Sequence, residues 1–476
     1  FSIECFMSAI DSAHQTSSPE SPRIAVVGAG LAGLSVAWLL KQKYQVTLFE
    51  SHESPGMGVY TSDYHSNGLS TRIDIPLRIF TQGYYPELFA LYQHLGIEME
   101  SSDHSSVYQN VDQNKSHRPN PFFQYGNQKL FNKKISFLHK NSFNLSGLSM
   151  VLAHSRFYKQ ARIDFKENRN NLACITFGQY LTQKKFNDKF IEQLLLPALS
   201  VTCTCDYDDI LNYPCDLILE YLTCGVMTQG IVRAKLGVDG IVPKLTQGYK
   251  VLCNEQVICV LDNSTCSQGI NGQNIQLTSK NLKTDKTHHH QFDYVIMATP
   301  ANVTQKILSA HSSTLQSTLL SDIPIQSSTM VLHTDTQLVY DAQKAAPVSY
   351  IIDKTAQRPS TSVDLTKAFS TYKGQAPVYQ TWNILKAPKQ STVISQAEFT
   401  RPLVTLKSRQ SVAQLLKHNH SSAIKICGSY MANKIPLLDA AVESSVKIAR
   451  QLDCIIPWHK ELPAEDDPVF DPALAF

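Results

Sequence analysis

The chain has 476 residues, 43% of them hydrophobic and 17% charged, with a formal net charge of +3. That length carries two or three domains' worth of core, and the composition is that of a globular protein. No Lys/Arg run exceeds two residues and no apolar run approaches the roughly 18 residues that span a bilayer, so neither a nucleic-acid partner nor a transmembrane segment is expected.

Residues 1–22 are Ser-rich and mixed, without a basic start and an apolar stretch; they are expected to be a disordered leader, with either Met7 as the true start or an incomplete N-terminus. Arg23 to Leu34 then read RIAVVGAGLAGL, a short apolar strand running into Gly28, Gly30 and Gly33. This spacing marks a dinucleotide site: Gly28 for the tight turn, Gly30 for close approach of backbone to a pyrophosphate, Gly33 for close packing of helix on strand. Leu31 and Ala32 open the helix, whose free N–H groups and dipole favour phosphate. A second strand, Val46 to Phe49, ends in Glu50, placed to accept the hydroxyls of an adenosine ribose. Gly56 and Gly58 follow in a loop that permits a second close backbone approach.

Leu88 to Leu95 has helical spacing and closes at Gly96. From about Ser101 to Lys140 the chain turns polar, a shift that marks another domain. Helical patterns return at 177–195 and 210–222, then a strand pair at 251–261 and 275–279 joined by an Asn/Gly/Ser-rich hairpin. Phe292 to Pro300, FDYVIMATP, reads as a buried parallel strand ending at Ala298 in a small-residue turn, with a helix from Asn302 to Leu308. A polar, strand-like region spans Asp322 to Pro402. Finally Ala423 to Cys427 runs as a strand into Gly428 and Ser429, and a helix extends from beyond Pro436 to Leu452. Dinucleotide-type elements therefore occur in three pieces, best explained as one cofactor domain interrupted by two insertions.

The eleven cysteines are scattered without a CxxC pair, which fits a reducing, cytoplasmic setting. Cys203 and Cys205 lie closer than zinc-ligand spacing, and the run His288 to His290 is expected at a solvated hairpin tip; no metal site is expected. Five N-x-S/T sequons, at Asn114, Asn144, Asn263, Asn302 and Asn419, matter only in a secreted protein.

These pieces in this order resemble the FAD-dependent amine oxidase superfamily, nearest to a poorly characterised branch of predicted NAD/FAD-binding proteins that shares stretches like DIPLRIFTQGYYPELFALYQHLGI, MVLHTD and EFTRPLVTLKSRQ. The resemblance covers most of Arg23 to Leu452. It implies an α/β fold: a Rossmann-like, glutathione-reductase-type FAD-binding domain (23–100, 236–310, 403–455) interleaved with an α+β substrate domain (101–235, 311–402), and a tail from 456 to 476. It implies FAD held by Gly28, Gly30, Leu31, Ala32, Gly33, Glu50, Gly56, Met57 and Arg78, with Val257 near the adenine, Ala298 ending the FDYVIMATP strand, and Gly428, Ser429, Ala441 and Val442 at the closing segment. Two departures weaken the cofactor grip: Met57 follows Gly56 where the family has a second glycine, and Ser429 replaces the usual acid. No cysteine falls where covalent attachment occurs in monoamine oxidases, so FAD is expected to be non-covalent. The late glycine-helix segment has no role in a simple nicotinamide domain, which disfavours NAD(P) alone.

The expected chemistry is hydride removal from a small or lipid-like substrate, with amine oxidation as the family default, desaturation or isomerisation of an unsaturated lipid as the rival, and a non-catalytic FAD-binding protein as a third reading. Arg78 is a candidate for a substrate carboxylate, for the cofactor, or for a surface ion pair. Tyr84, Tyr85 and Trp382 are candidates for an aromatic wall or for core, and His333 for a proton relay or a structural role.

Overall fold

In the computed structural model, residues 21–112, 116–130, 133–139, 142–224, 230–263, 275–310, 314–339 and 346–459 are described. The leader before residue 21 and the tail beyond 459 lie outside them, as do Asn114 and the 264–274 connection. At the centre is a five-stranded parallel sheet in the order Lys250–Leu252, Gln45–Phe49, Arg23–Val27, Tyr294–Met297, Ile424–Ile426. Its strands come from three distant stretches. Every residue from Ile24 to Val27 is buried, because the sheet is covered on both faces. Ile24 and Val26 pack into the larger core with the helices Leu31–Leu40 and Leu438–Gln451, whereas Ala25 and Val27 pack with Val257, Val260, Leu277 and Phe292. The latter belong to a three-stranded antiparallel sheet, Glu255–Asp262, Ile275–Asn281 and Thr287–Phe292.

An eight-stranded sheet runs in the order Val393–Pro402, Ile325–His333, Tyr379–Trp382, Ser360–Asp364, Val348–Asp353, Ser106–Asp112, Ser116–Leu130, Lys133–Leu138. All pairings are antiparallel except Val348–Asp353 with Ser106–Asp112, the seam that joins the two distant stretches. A hairpin absent from the expectations above, Tyr60–Ser66 with Leu69–Ile75, turns at Asn67-Gly68, both with positive φ (52° and 73°), the pairing favoured in tight hairpins. It packs Tyr64, Ile73 and Ile75 against Met330, Leu332 and Trp382 of the large sheet.

The helical region differs from the expected pattern in detail. A 28-residue helix, Leu145–Leu172, capped by Asn144 on the Gly147 N–H (2.9 Å), precedes it. The 177–195 stretch breaks after Lys184, where Lys185 takes positive φ and Asn187 caps a new turn. The 210–222 stretch breaks at Pro214, between Tyr207–Asn212 and Cys215–Thr223. The histidine run is within the strand Thr287–Phe292, not at a hairpin tip: alternation sends His288 and His290 to one side, over Glu255 and Ser279, and His289 to the other. Asn419 is 1% exposed and its amide is bonded to both the N–H and the carbonyl of Ile426, which removes it as a glycan acceptor.

Candidate cofactor and substrate site

The turn from Val27 into the helix Leu31–Leu40 is built by contacts that a side chain would destroy. Gly28 has φ +101°, donates to the Phe49 carbonyl at 2.8 Å, and a Cβ there would meet Thr299 and the Ala298 carbonyl at 3.0 and 3.1 Å. A Cβ on Gly33 would lie 1.9 Å from the Gly28 carbonyl oxygen and 3.3 Å from the Ala298 Cβ. Gly30 is different: nothing stands within 4 Å of where its Cβ would be. It is also the N-cap of a helix with no side-chain cap and no acid in its first turn. Glu50 closes the other side, its Oε2 accepting from the Ala29 N–H at 2.7 Å and its Oε1 from the His52 N–H at 2.9 Å.

Gly30 bridges to Met57, whose N–H donates to the Ala29 carbonyl (3.2 Å). Met57 is buried and holds φ +54°, a left-handed conformation that a β-carbon makes costly; the backbone keeps the geometry a glycine would take there. The Met57 carbonyl accepts from Arg78 Nη2. Arg78 follows the cis Ile75–Pro76 peptide in a loop pinned by Gln380, whose amide donates to the Asp74 carbonyl (2.6 Å) and accepts from the Leu77 N–H (3.1 Å). Asp74 in turn accepts from the Val238 N–H at 3.0 Å, and burial pushes its carboxyl up to about 6.

Arg78 opens onto a cavity of about 600 Å³ under the large sheet. Its walls are aromatic and aliphatic: Trp382, Tyr85, Phe123 and the stacked pair Tyr108 and Tyr350, whose rings lie 4.4 Å apart and nearly parallel, are among them. Leu437 and Leu438, at the start of the helix Leu438–Gln451, line one end, so that helix presents its N-terminus there. The first-turn acid of this helix is turned away: Asp439 is fully buried, accepting from the Leu88 N–H (2.9 Å) and Lys434 Nζ (2.6 Å). Among the described lining residues there is no Asp, Glu, Lys or Cys; the permanent charges are Arg78 and Arg401.

The structure brings together Gly28, Gly30, Leu31, Ala32, Gly33, Glu50, Met57 and Ala298 around one turn, and Arg78, Tyr85 and Trp382 around the cavity. Arg78 is therefore no surface ion pair. Gly56, adjoining Met57, is packed near the Val59 carbonyl. Tyr84 is turned away from the cavity, its hydroxyl accepting from the Ile435 N–H at 3.2 Å with Lys434 over its ring. His333 does not reach the cavity: it is 0% exposed, bonded through Nε2 to Thr381 and accepting at Nδ1 from the Asp335 N–H, and burial lowers its pKa to about 4. Val257 sits in the core beneath the antiparallel sheet, two residues beyond Glu255, whose N–H donates to the Glu50 carbonyl. Gly428 and Ser429 follow the last parallel strand, and Ala441 and Val442 are buried in the helix that packs on Leu31–Leu40. Arg401 is the residue the sequence reading did not assign. Ala397 and Phe399 are buried, and period two lands Arg401 on the same inward face.

Residues 26–95 match the NAD(P)-binding Rossmann-like domain. Among solved structures, putrescine oxidase with bound putrescine superposes with a TM-score of 0.60 at 12% identity, covering 91% of this chain and 99% of that one. This chain has the amine-oxidase fold. Cyclohexylamine oxidase from Brevibacterium oxydans shares it (TM-score 0.58, 11% identity, 91% and 100% coverage), as does an oxidoreductase from Methanosarcina mazei (0.58, 12%, 89% and 99%). No curated protein matches the chain in sequence. The amine-oxidase fold accounts for strands of one sheet arriving from three stretches with the large sheet between them.

Proposed function

We propose that this chain is an FAD-dependent oxidoreductase of the amine-oxidase type, acting in the cytoplasm on a small or lipid-like substrate. The observation that carries the reading is the open space at Gly30 beside an uncapped helix N-terminus, in a turn where Gly28 and Gly33 are closed by packing. Backbone N–H groups at such a terminus suit a pyrophosphate, and Glu50 suits a ribose. FAD, when bound, supplies a two-electron acceptor for hydride from a substrate C–H bond. This chain's residues supply the rest. Arg78 ties the Met57 turn to the cavity, the helix beginning at Leu438 directs its N-terminal dipole toward one cavity end, and the aromatic walls give the cavity a largely apolar lining. Non-covalent attachment is supported by Cys427, the cysteine beside Gly428, being buried with its thiol against Ser444 and Ser445, and a reducing compartment by nine free cysteines with no described disulfide.

The second reading, desaturation or isomerisation of an unsaturated lipid, is favoured by apolar walls that offer no carboxylate to an ammonium group. Anaerobic mixing of the FAD-loaded protein with a panel of amines and unsaturated lipids tests both. Bleaching of the flavin by an amine, with peroxide on re-aeration, is the expected outcome of the amine reading; bleaching only by lipids, or migration of a lipid double bond with the flavin left oxidised, establishes the second; a flavin reduced by dithionite, with no candidate bleaching it and no lipid rearranged, overturns both.

A further inference from the structure

We infer that Arg78 and Arg401 form an anion-binding subsite in the cavity, and that its ligand is an apolar molecule bearing a carboxylate. Both guanidinium groups line the same chamber, and the Nε of each is buried with no hydrogen-bond partner. Arg78 spends one terminal nitrogen on the Met57 carbonyl. Asp74, an acid that acts on it electrostatically, makes no described ion pair with it and is held on the Val238 N–H. Arg401 feels the phenols of Tyr85 and Tyr213 electrostatically and has no described salt bridge. Two guanidiniums with no described counter-charge, each with a buried and unpartnered Nε, are costly unless an anion completes them, and their planar forks match a carboxylate. The remaining walls, with Tyr108, Tyr350 and Trp382 among them, suit an aliphatic or aromatic body. The same two cations disfavour a protonated diamine of the kind bound by putrescine oxidase.

The inference names a substrate class for the proposed oxidoreductase, favours the lipid reading over the amine reading, and rests on the proposed function only in treating the ligand as a substrate. Titration calorimetry of the purified full chain, with octanoate, octylammonium and octan-1-ol as probes and FAD content read in parallel from absorbance, separates the two. The expected result is that octanoate binds, that octylammonium does not, and that octan-1-ol binds roughly ten- to a hundredfold more weakly than octanoate. Arg401→Gln is expected to bring octanoate down to the level of octan-1-ol, and Arg401→Lys to restore part of the difference. Octanoate binding no tighter than octan-1-ol, octylammonium binding as tightly as octanoate, or an Arg401→Gln variant that keeps octanoate affinity would each overturn the subsite. Loss of FAD retention in Arg401→Gln with octanoate affinity intact would overturn it too, assigning the guanidinium to the cofactor. A chain that binds octanoate yet takes up no FAD defeats the oxidoreductase reading and leaves the subsite standing; should Arg401→Gln fail to fold, the comparison of the three probes on the unaltered chain decides.

Discussion

Gly30 and Gly33 stand one helical turn apart, and the structure requires them for different reasons. A methyl group at Gly33 would meet the Gly28 carbonyl at 1.9 Å, so Gly33→Ala should cost roughly 3 kcal/mol or more in chemical denaturation. At Gly30 a methyl group meets nothing, and φ of −67° is open to any residue; Gly30→Ala should therefore change stability by less than ~0.5 kcal/mol while sharply weakening FAD uptake. A Gly30→Ala variant that unfolds, or one that binds FAD normally, contradicts the assignment. Asp74 gives a second residue-scale expectation. Its carboxyl is pushed from the ordinary 3.8 up to about 6 by burial, so between those values the unfolded chain has released a proton that the folded chain retains. Stability from this group is present below about pH 4 and is lost as pH rises to about 6, a swing of roughly 3 kcal/mol at most. Asp74→Asn should remove that swing, so the stability of the original chain relative to the variant should fall across this window; a pH-independent difference would contradict it.

At the scale of elements, a buried ion pair and a bond from Arg409 to the Ala173 carbonyl help tie the helix Leu406–Ser421 to the helical region. Arg409 meets Asp216 of Cys215–Thr223 through two bonds of 2.8 Å, while its Nε donates to Asn433 at 2.9 Å. Asp216 is 2% exposed, so Asp216→Asn strands a buried guanidinium and should cost about 3–5 kcal/mol by urea denaturation; a loss below ~1 kcal/mol would show that the pair does not hold these helices together. Legibility in the sequence followed local signal. The strands Arg23–Val27, Tyr294–Met297 and Ile424–Ile426 are short apolar runs beside small-residue turns and were readable as such. The breaks at Lys185 and Pro214 were less so, because the apolar spacing continues across them while the backbone does not. The hairpin at Asn67-Gly68 carried a turn signal but a weak apolar alternation, since much of it faces solvent.

For the whole molecule, the dinucleotide turn was legible because its glycines obey a backbone rule that holds within twelve residues. The cavity was not, because it is made by residues more than three hundred positions apart, such as Arg78 and Arg401, which come to one chamber only once the large sheet is assembled. A lone arginine in EFTRP carries no sign of what faces it; only the burial of Ala397 and Phe399 shows that its strand points it inward. His333 and Tyr84 are the converse, chemically plausible residues that tertiary packing has already engaged elsewhere. Whether the turn at Gly28 to Gly33 holds FAD beside this cavity is decided by the visible absorption spectrum of the purified protein before and after heat denaturation. Flavin bands, with free FAD released into the supernatant, are the predicted result; a colourless protein that takes up no added FAD would contradict the account.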